Sequence, residues 1–256
     1  MKVSVIIPVY NRERYIRTAI LSLLRQSDDA DLDIVVIDDG STDRSREIVL
    51  DMAKAAPNIR LIEQPHAGIA RARNTGLDHI HPEAELVTFL DSDDVSVHGR
   101  FATELPLFRE DAELALTYSM MTVTDAIDQT SFMPSSNART CTLQSIHLGA
   151  AIFRRAALDA VGRFDEELKQ SEDLDFLLRL FELPLKYRLL DHVALLYRRH
   201  SEGVTHNRAE ARRYFMLALL RSMQRRRRAG NPVPIPKFFT SGEIVGDTDL
   251  LLRVVT

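Results

Sequence analysis

The sequence predicts an α/β domain: an open, parallel sheet with helices on both faces, followed by a C-terminal helical extension. Three observations carry this. The apolar runs "VSVIIP", "LDIVVID", "NIRLIE" and "LVTFL" are continuous rather than alternating, as strands buried on both faces must be. Segments with helical apolar spacing separate them. Each run also ends in a polar cluster, where open α/β sheets bind ligands.

In chain order, "VSVIIP" is a β-branched run stopped by a proline, and "RYIRTAILSLLRQ" follows it as a helix. "LDIVVID" is the second strand, and "GSTDRSREIVLDMAKAA" the second helix, with Ser41 and Thr42 as expected N-caps. A third cycle runs through "NIRLIE" and "GIARARNTGLDHI", and the fourth strand, "LVTFL", leads directly into "DSDD". Beyond residue 100 the pattern loosens. "ELALTYSMMTVTD" reads as a strand, residues 125 to 146 as polar turns, and "GAAIFRRAALDAVGRFDEEL" as a strand and a short helix. "SEDLDFLLRLFEL" is an amphipathic helix that starts with acids, and "KYRLLD" and "VALLYRRH" read as two strands. Residues 207 to 229 form a long basic helix, and Pro232, Pro234 and Pro236 mark an irregular tail.

Composition narrows the function. The 256 residues are 45% hydrophobic, enough for a sizeable core, and the formal charge of −4 gives no global reason to expect nucleic acid as a partner. The single cysteine, Cys141, excludes an intrachain disulfide and a cysteine-cluster zinc site, which fits a reducing compartment. "MKVSVIIPVY" is too soon broken by Pro8 for a signal core, and no run approaches the roughly 20 apolar residues of a spanning helix. The expectation is a cytoplasmic protein that rests on a membrane at most.

The four strand ends carry Tyr10 and Asn11, Asp38 and Asp39, His66 and Arg73, and Asp91, Ser92, Asp93 and Asp94. Convergence on one rim makes a shared site. Neither G-x-G-x-x-G nor G-x-x-x-x-G-K-[ST] occurs, so phosphate charge is not met by a glycine-rich loop. Crowded carboxylates instead suit Mg²⁺ or Mn²⁺, hard ions that take one or two protein carboxylates together with substrate phosphates. A lone D-x-D is more often a solvated Asx-turn, but an acidic turn ending a buried strand, in line with "IDDGS" at another, is a rarer combination. Ser171, Glu172 and Asp173 read equally as helix-start acids favoured by the dipole or as a general base facing a cleft. His200 ends a strand and is balanced between a metal ligand and a plain strand-end histidine, and the "HIH" of His79 and His81 is a weak metal candidate. In the basic helix, Arg212, Arg213, Arg221 and Arg225 to Arg228 sit beside Phe215, Leu217, Leu219 and Leu220, a pattern that also fits an anionic membrane surface.

Together "VSVIIPVYN", "VVIDDGSTD", "HAGIARARNTGL", "FLDSDD", "GRFDEEL", "SEDLDFLLRL" and "YRRH" resemble the family 2 glycosyltransferases of the GT-A fold, over about residues 2 to 205. The resemblance implies a Rossmann-like nucleotide-binding sheet with a smaller acceptor-side region. It implies transfer of a hexosyl or related sugar, with inversion, from a nucleoside-diphosphate donor to a polysaccharide, glycolipid or other glycoconjugate precursor. Pro8, Val9 and Tyr10 would line the base pocket, with Asn11 beside them. Asp39 would contact base or ribose, and Arg73 would approach the nucleotide or its phosphates. Asp91, with Ser92 next to it, would reach the ribose or the metal's water shell. Asp93 would ligate Mg²⁺ or Mn²⁺, His200 would add a second ligand, and in the Glu172–Asp173 catalytic pair Asp173 would be the base. The acceptor would be a glycan or a lipid-linked precursor. "VHGRF" departs from the family's usual proline ahead of an arginine, and residues 125 to 146 match nothing assignable.

The corresponding division is a catalytic domain over 1–205, with a nucleotide-sugar half (1–97) and an acceptor half (98–205), and an extension over 206–256. Two other functions compete. A sugar-phosphate nucleotidyltransferase needs a glycine-rich N-terminal loop, which "PVYNRERY" lacks. A noncatalytic nucleotide-sugar-binding protein would have no need of Asp173.

Overall fold

The structure is a computed structural model and describes residues 1–145, 147–200, 208–230 and 245–246. The first half is built from β1 (Lys2–Val9), α1 (Ile16–Leu24), β2 (Asp31–Asp38), α2 (Ser45–Ala55), β3 (Ile59–Glu63), α3 (Ile69–Asp78) and β4 (Ala84–Phe89). These strands pair in parallel in the order β3-β2-β1-β4. Both faces of β1 are covered: Val3, Val5, Ile7 and Val9 enter one core cluster and Ile6 the other, which is why the run is apolar without alternation. α3 lies close on β1, since a Cβ on Gly76 would come within 2.3 Å of Ile6.

The second half adds antiparallel strands to the parallel sheet read from the first four runs. It comprises β5 (Val95–Ser96), α4 (Arg100–Glu110), β6 (Leu114–Thr124), β7 (Thr140–Leu143), a 3₁₀ turn (Leu148–Ala150), β8 (Ala151–Arg154), α5 (Arg155–Val161), α6 (Glu172–Phe181) and β9 (Lys186–Arg198). β8 runs antiparallel between β4 and β6, and β7 is antiparallel to β6, so the sheet is mixed. Strand burial, which an apolar run reports, does not encode strand direction. β9 is one strand where the sequence suggested two, because it pairs along nearly all of β6 with register shifts that absorb its polar residues. β7, within the polar stretch read as turns, owes its existence to β6 on one side and β10 (Val245–Gly246) on the other. α4 runs unbroken through Pro106, a residue that weakens the helical signal of its segment.

Ser41 and Thr42 do not cap α2. Asn11 pins the loop, its Oδ1 accepting the Thr42 amide at 2.8 Å while its own amide donates to Ser41 Oγ at 3.0 Å, and Asp43 Oδ1 then accepts the Ser45 amide at 2.9 Å. The final helix, α7 (Arg208–Ala229), docks on α6. Ala218 packs with Leu174 and Leu178, and Arg225 donates to Asp175 and Glu182. Arg221 pairs with Asp165 and Glu167. Two of the arginines assigned to a membrane-facing cluster therefore hold the helix to the domain. Among the described residues no helix is long and apolar enough to cross a membrane. The loop 201–207 and the proline-marked tail lie outside the described residues.

Candidate active site

The sheet order reverses around β1, whose neighbours are β2 and β4, and the crevice beyond their carboxyl ends is where an open α/β sheet leaves room for a ligand. Pro8 and Val9 are buried there, Val9 within the core, so the exposed member of the trio is Tyr10. Its ring stacks on His66 with centroids 4.0 Å apart and planes 21° from parallel. Asn11 takes a left-handed conformation (φ 51°), tolerable for asparagine, and is spent on the β2–α2 loop.

Asp39 is buried, and both its oxygens are used. Oδ1 accepts from Gln64 Nε2 at 2.6 Å and the Ala67 amide at 2.9 Å, and Oδ2 accepts the Gly68 amide at 2.9 Å with His66 Nδ1 also at 2.9 Å. The carboxylate thus ties the loop before α3 to the end of β2 and fixes His66 beneath Tyr10.

After β4 the acidic turn distributes its charges to three directions. Asp91 Oδ1 accepts from Arg73 Nη2 at 2.9 Å, and Ser92 is buried beside it. Asp93 Oδ2 receives Arg12 Nε at 3.3 Å and lies 2.9 Å from His200 Nε2, which brings the two expected metal ligands together. Asp94 is buried, accepts the Arg198 amide on Oδ1 at 2.9 Å, and its Oδ2 has no hydrogen-bond partner. Burial pushes the Asp94 pKa well up, with Asp93 and Asp91 adding to the rise, whereas Asp91 is held well below the usual carboxylate range against its own burial, chiefly by Arg73 and His147.

Arg73, expected near the nucleotide, is buried between two acids, with Nη1 2.5 Å from Glu172 Oε1 and Nη2 on Asp91. It stitches the end of β4 to the start of α6. Glu172 is buried, and desolvation pushes its pKa up to about 7 in spite of Arg73. Asp173, one residue on, is half-buried, and its Oδ1 accepts the Leu174 amide at 2.7 Å. It takes the first turn of α6, after Ser171 in a left-handed conformation that offers no side-chain cap.

The strand ends thus gather Tyr10, Asp39, Arg73, Asp91, Asp93, Glu172 and His200 into one network. His79 and His81 stand apart: Nδ1 of His79 faces the Thr75 carbonyl, and the His81 amide donates to Ser4 Oγ near the amino end of β1. Reading by sequence missed Arg12, Arg198 and His147. Arg198, its Nε on the Asp93 carbonyl at 2.9 Å, was visible within "YRRH". His147 carries no local signal, because only the return of the chain through the 3₁₀ turn brings it to Asp91 and Asp94.

Residues 4–162 match the model of the family described as "Glycosyl transferase family 2". The chain is 30% identical over 219 residues to an uncharacterized glycosyltransferase, EpsJ, of Bacillus subtilis (strain 168), covering 79% of this chain and 62% of that protein. It is 28% identical over 211 residues to the minor teichoic acid biosynthesis protein GgaA of the same organism, covering 78% of this chain and 47% of that one. The chain thus spans about half the length of these relatives. Among solved structures, S. aureus TarS 1-349 in complex with UDP superposes with a TM-score of 0.64 at 25% identity, over 86% of this chain and 66% of that one.

Proposed function

The chain belongs to glycosyl transferase family 2, and from that premise we propose that it is an inverting, metal-dependent glycosyltransferase moving a sugar from a nucleoside-diphosphate donor to an acceptor hydroxyl. The observation that carries the reading is the convergence of Asp93, His200, Asp91 and the Glu172–Asp173 pair at the carboxyl end of β4. The complex of TarS with UDP supports the donor class. On this reading residues 1–97 serve the donor and 98–205 the acceptor, while 206–256 extend the domain. The acceptor is a glycan or lipid-linked precursor of a surface polymer, a choice supported by the name of GgaA.

The carboxylate of Asp93 suits a hard divalent ion, and no described residue hydrogen-bonds its Oδ1. Asp93 and His200 would hold Mg²⁺ or Mn²⁺, which when bound neutralises charge on the departing diphosphate. The chain's own groups do the rest. Tyr10, stacked on His66, offers a face to the base, and Asp39 keeps that platform in place. Asp173 takes the acceptor's proton as the hydroxyl attacks from the face opposite the diphosphate, so a single displacement inverts the anomeric carbon and needs no enzyme nucleophile.

A thermal-shift screen of nucleotide sugars and UDP, with and without Mn²⁺, tests this. A ligand at a hundred times its Kd adds about 2.7 kcal/mol, which is a shift of roughly 5–11 °C in a chain of this size. Asp93→Asn should abolish the Mn²⁺-dependent part. A Mn²⁺-dependent shift of equal size in that variant would refute the metal assignment.

For the acceptor side, the outward face of α7 is informative. Met216, Leu220 and Met223 are each about half exposed, at spacings that form one stripe, with Arg212, Arg213 and Arg227 around them. Glu210 is the helix's single acid. This face fits an anionic lipid surface on the cytoplasmic side. At low salt the protein should float with vesicles containing anionic lipid, and Leu220→Glu should release it. Equal recovery with neutral vesicles, or none with anionic ones, would sink the membrane contact.

A further inference from the structure

His147 has its Nε2 3.5 Å from Asp91 Oδ2 and 3.4 Å from Asp94 Oδ2, and the three side chains form a group able to hold a metal ion. Whether His147 is a ligand or a donor turns on one proton, since a ligating nitrogen needs its lone pair and a donating one its hydrogen. The other ring nitrogen decides. The Gly149 amide donates to Nδ1 at 3.1 Å, so Nδ1 presents a lone pair and the proton of the neutral ring sits on Nε2.

This contact is built in. The Gly149 carbonyl accepts from Arg100 Nη1 at 2.7 Å, and Arg100 is itself buried on Glu104 and Thr88. The His147 amide donates to the Tyr118 hydroxyl at 2.7 Å, which fixes the ring from its own backbone. A Cβ on residue 149 would press on the ring, 3.0 Å from Nδ1. The outer oxygens of the two acids are already engaged, Asp91 Oδ1 by Arg73 and Asp94 Oδ1 by the Arg198 amide. The inner oxygens face Nε2, and Asp94 Oδ2 is buried with no hydrogen-bond partner.

We infer that His147 is a positioning residue whose Nε2–H, oriented by the Gly149 amide, faces the inner oxygens of Asp91 and Asp94 at 3.5 and 3.4 Å and, by the positive end of that N–H, keeps a cation out from between them. Asp93 is then the carboxylate of the turn left to meet the ion. The inference rests on the metal-dependent reading of the site, but its first test does not depend on that reading.

Long-range ¹H–¹⁵N spectra of the full chain at pH 9, with His147 assigned by its loss in His147→Gln, should show the Nε2–H tautomer, unchanged by Mg²⁺. An Nδ1–H tautomer, or loss of the Nε2 proton on adding Mg²⁺, overturns the inference. Mn²⁺ titration followed by electron paramagnetic resonance supplies the second test. His147→Gln, which can still donate from its amide, should bind Mn²⁺ within twofold of the parent, whereas Asp93→Asn should lose tenfold or more. A tenfold loss in His147→Gln would make the ring a ligand and defeat the proposal. Unchanged binding in Asp93→Asn would defeat the metal reading and leave the tautomer result standing as the test of His147. With UDP as probe, His147→Leu should lose about tenfold in affinity and His147→Gln less than threefold; equal losses in both would also count against a donor role.

Discussion

Asp173→Asn should lower sugar transfer by ~10²–10⁴-fold, the usual range for removal of a general base, while leaving donor affinity within about twofold. The separation follows from where the residue sits. Asp173 opens α6, whereas the groups assigned to the diphosphate, Asp93 and His200, belong to the end of β4 and the end of β9. An asparagine preserves the shape and the contact with the Leu174 amide. It cannot accept the acceptor's proton. If Asp173 were only a helix-start acid, the same substitution would leave turnover near normal and cost about 0.3–1 kcal/mol of stability, the worth of a charge in the first turn. Transfer and donor binding measured on one preparation separate these cases, and full transfer by the variant would return the protein to the noncatalytic, nucleotide-sugar-binding alternative.

Arg73→Leu should destabilise the fold by about 3–5 kcal/mol, the range for removing one partner of a buried ion pair, since it strands Glu172 and Asp91 in the interior. The loss should depend on pH. Glu172 already has its folded pKa raised to about 7, and without Arg73 it rises further. A carboxyl whose folded pKa exceeds its unfolded value takes up a proton on folding, so the variant gains stability as pH falls from the folded pKa toward the unfolded one. The deficit against the parent should therefore be largest near pH 8 and shrink toward pH 5, as read by urea unfolding at both. A deficit that is small, or that grows toward acid, would show that the guanidinium is not what holds these two carboxylates.

Much of this was legible in one dimension. The three strand-and-helix cycles and the fourth strand, "LVTFL", were readable because a strand buried on both faces must be apolar throughout, and each helix must keep an apolar stripe. The placing of Tyr10, Asp39, Asp91 and Asp93 on one rim followed from parallel strands ending at the same edge. After β4 the signal weakens for a physical reason: β8 and β6 are antiparallel and β9 forks from β6, and pairing direction leaves no mark in an apolar run. β7 is held by its neighbours rather than by its own composition.

The sequence by itself determined the family, the mixed strand-and-helix architecture of the first half, and which carboxylates stand at strand ends, since each of these depends on side chains adjacent in the chain. Only the tertiary structure decided what those groups face. It turned Arg73 inward to join Asp91 to Glu172, closed Asp39 onto the loop before α3, spent Arg221 and Arg225 on acids of the domain, and brought His147 to the acidic turn. Each of these contacts joins residues well separated in the chain. Each sets a partner brought by the fold against the desolvation of a charged group, a balance that no local pattern of residue types records.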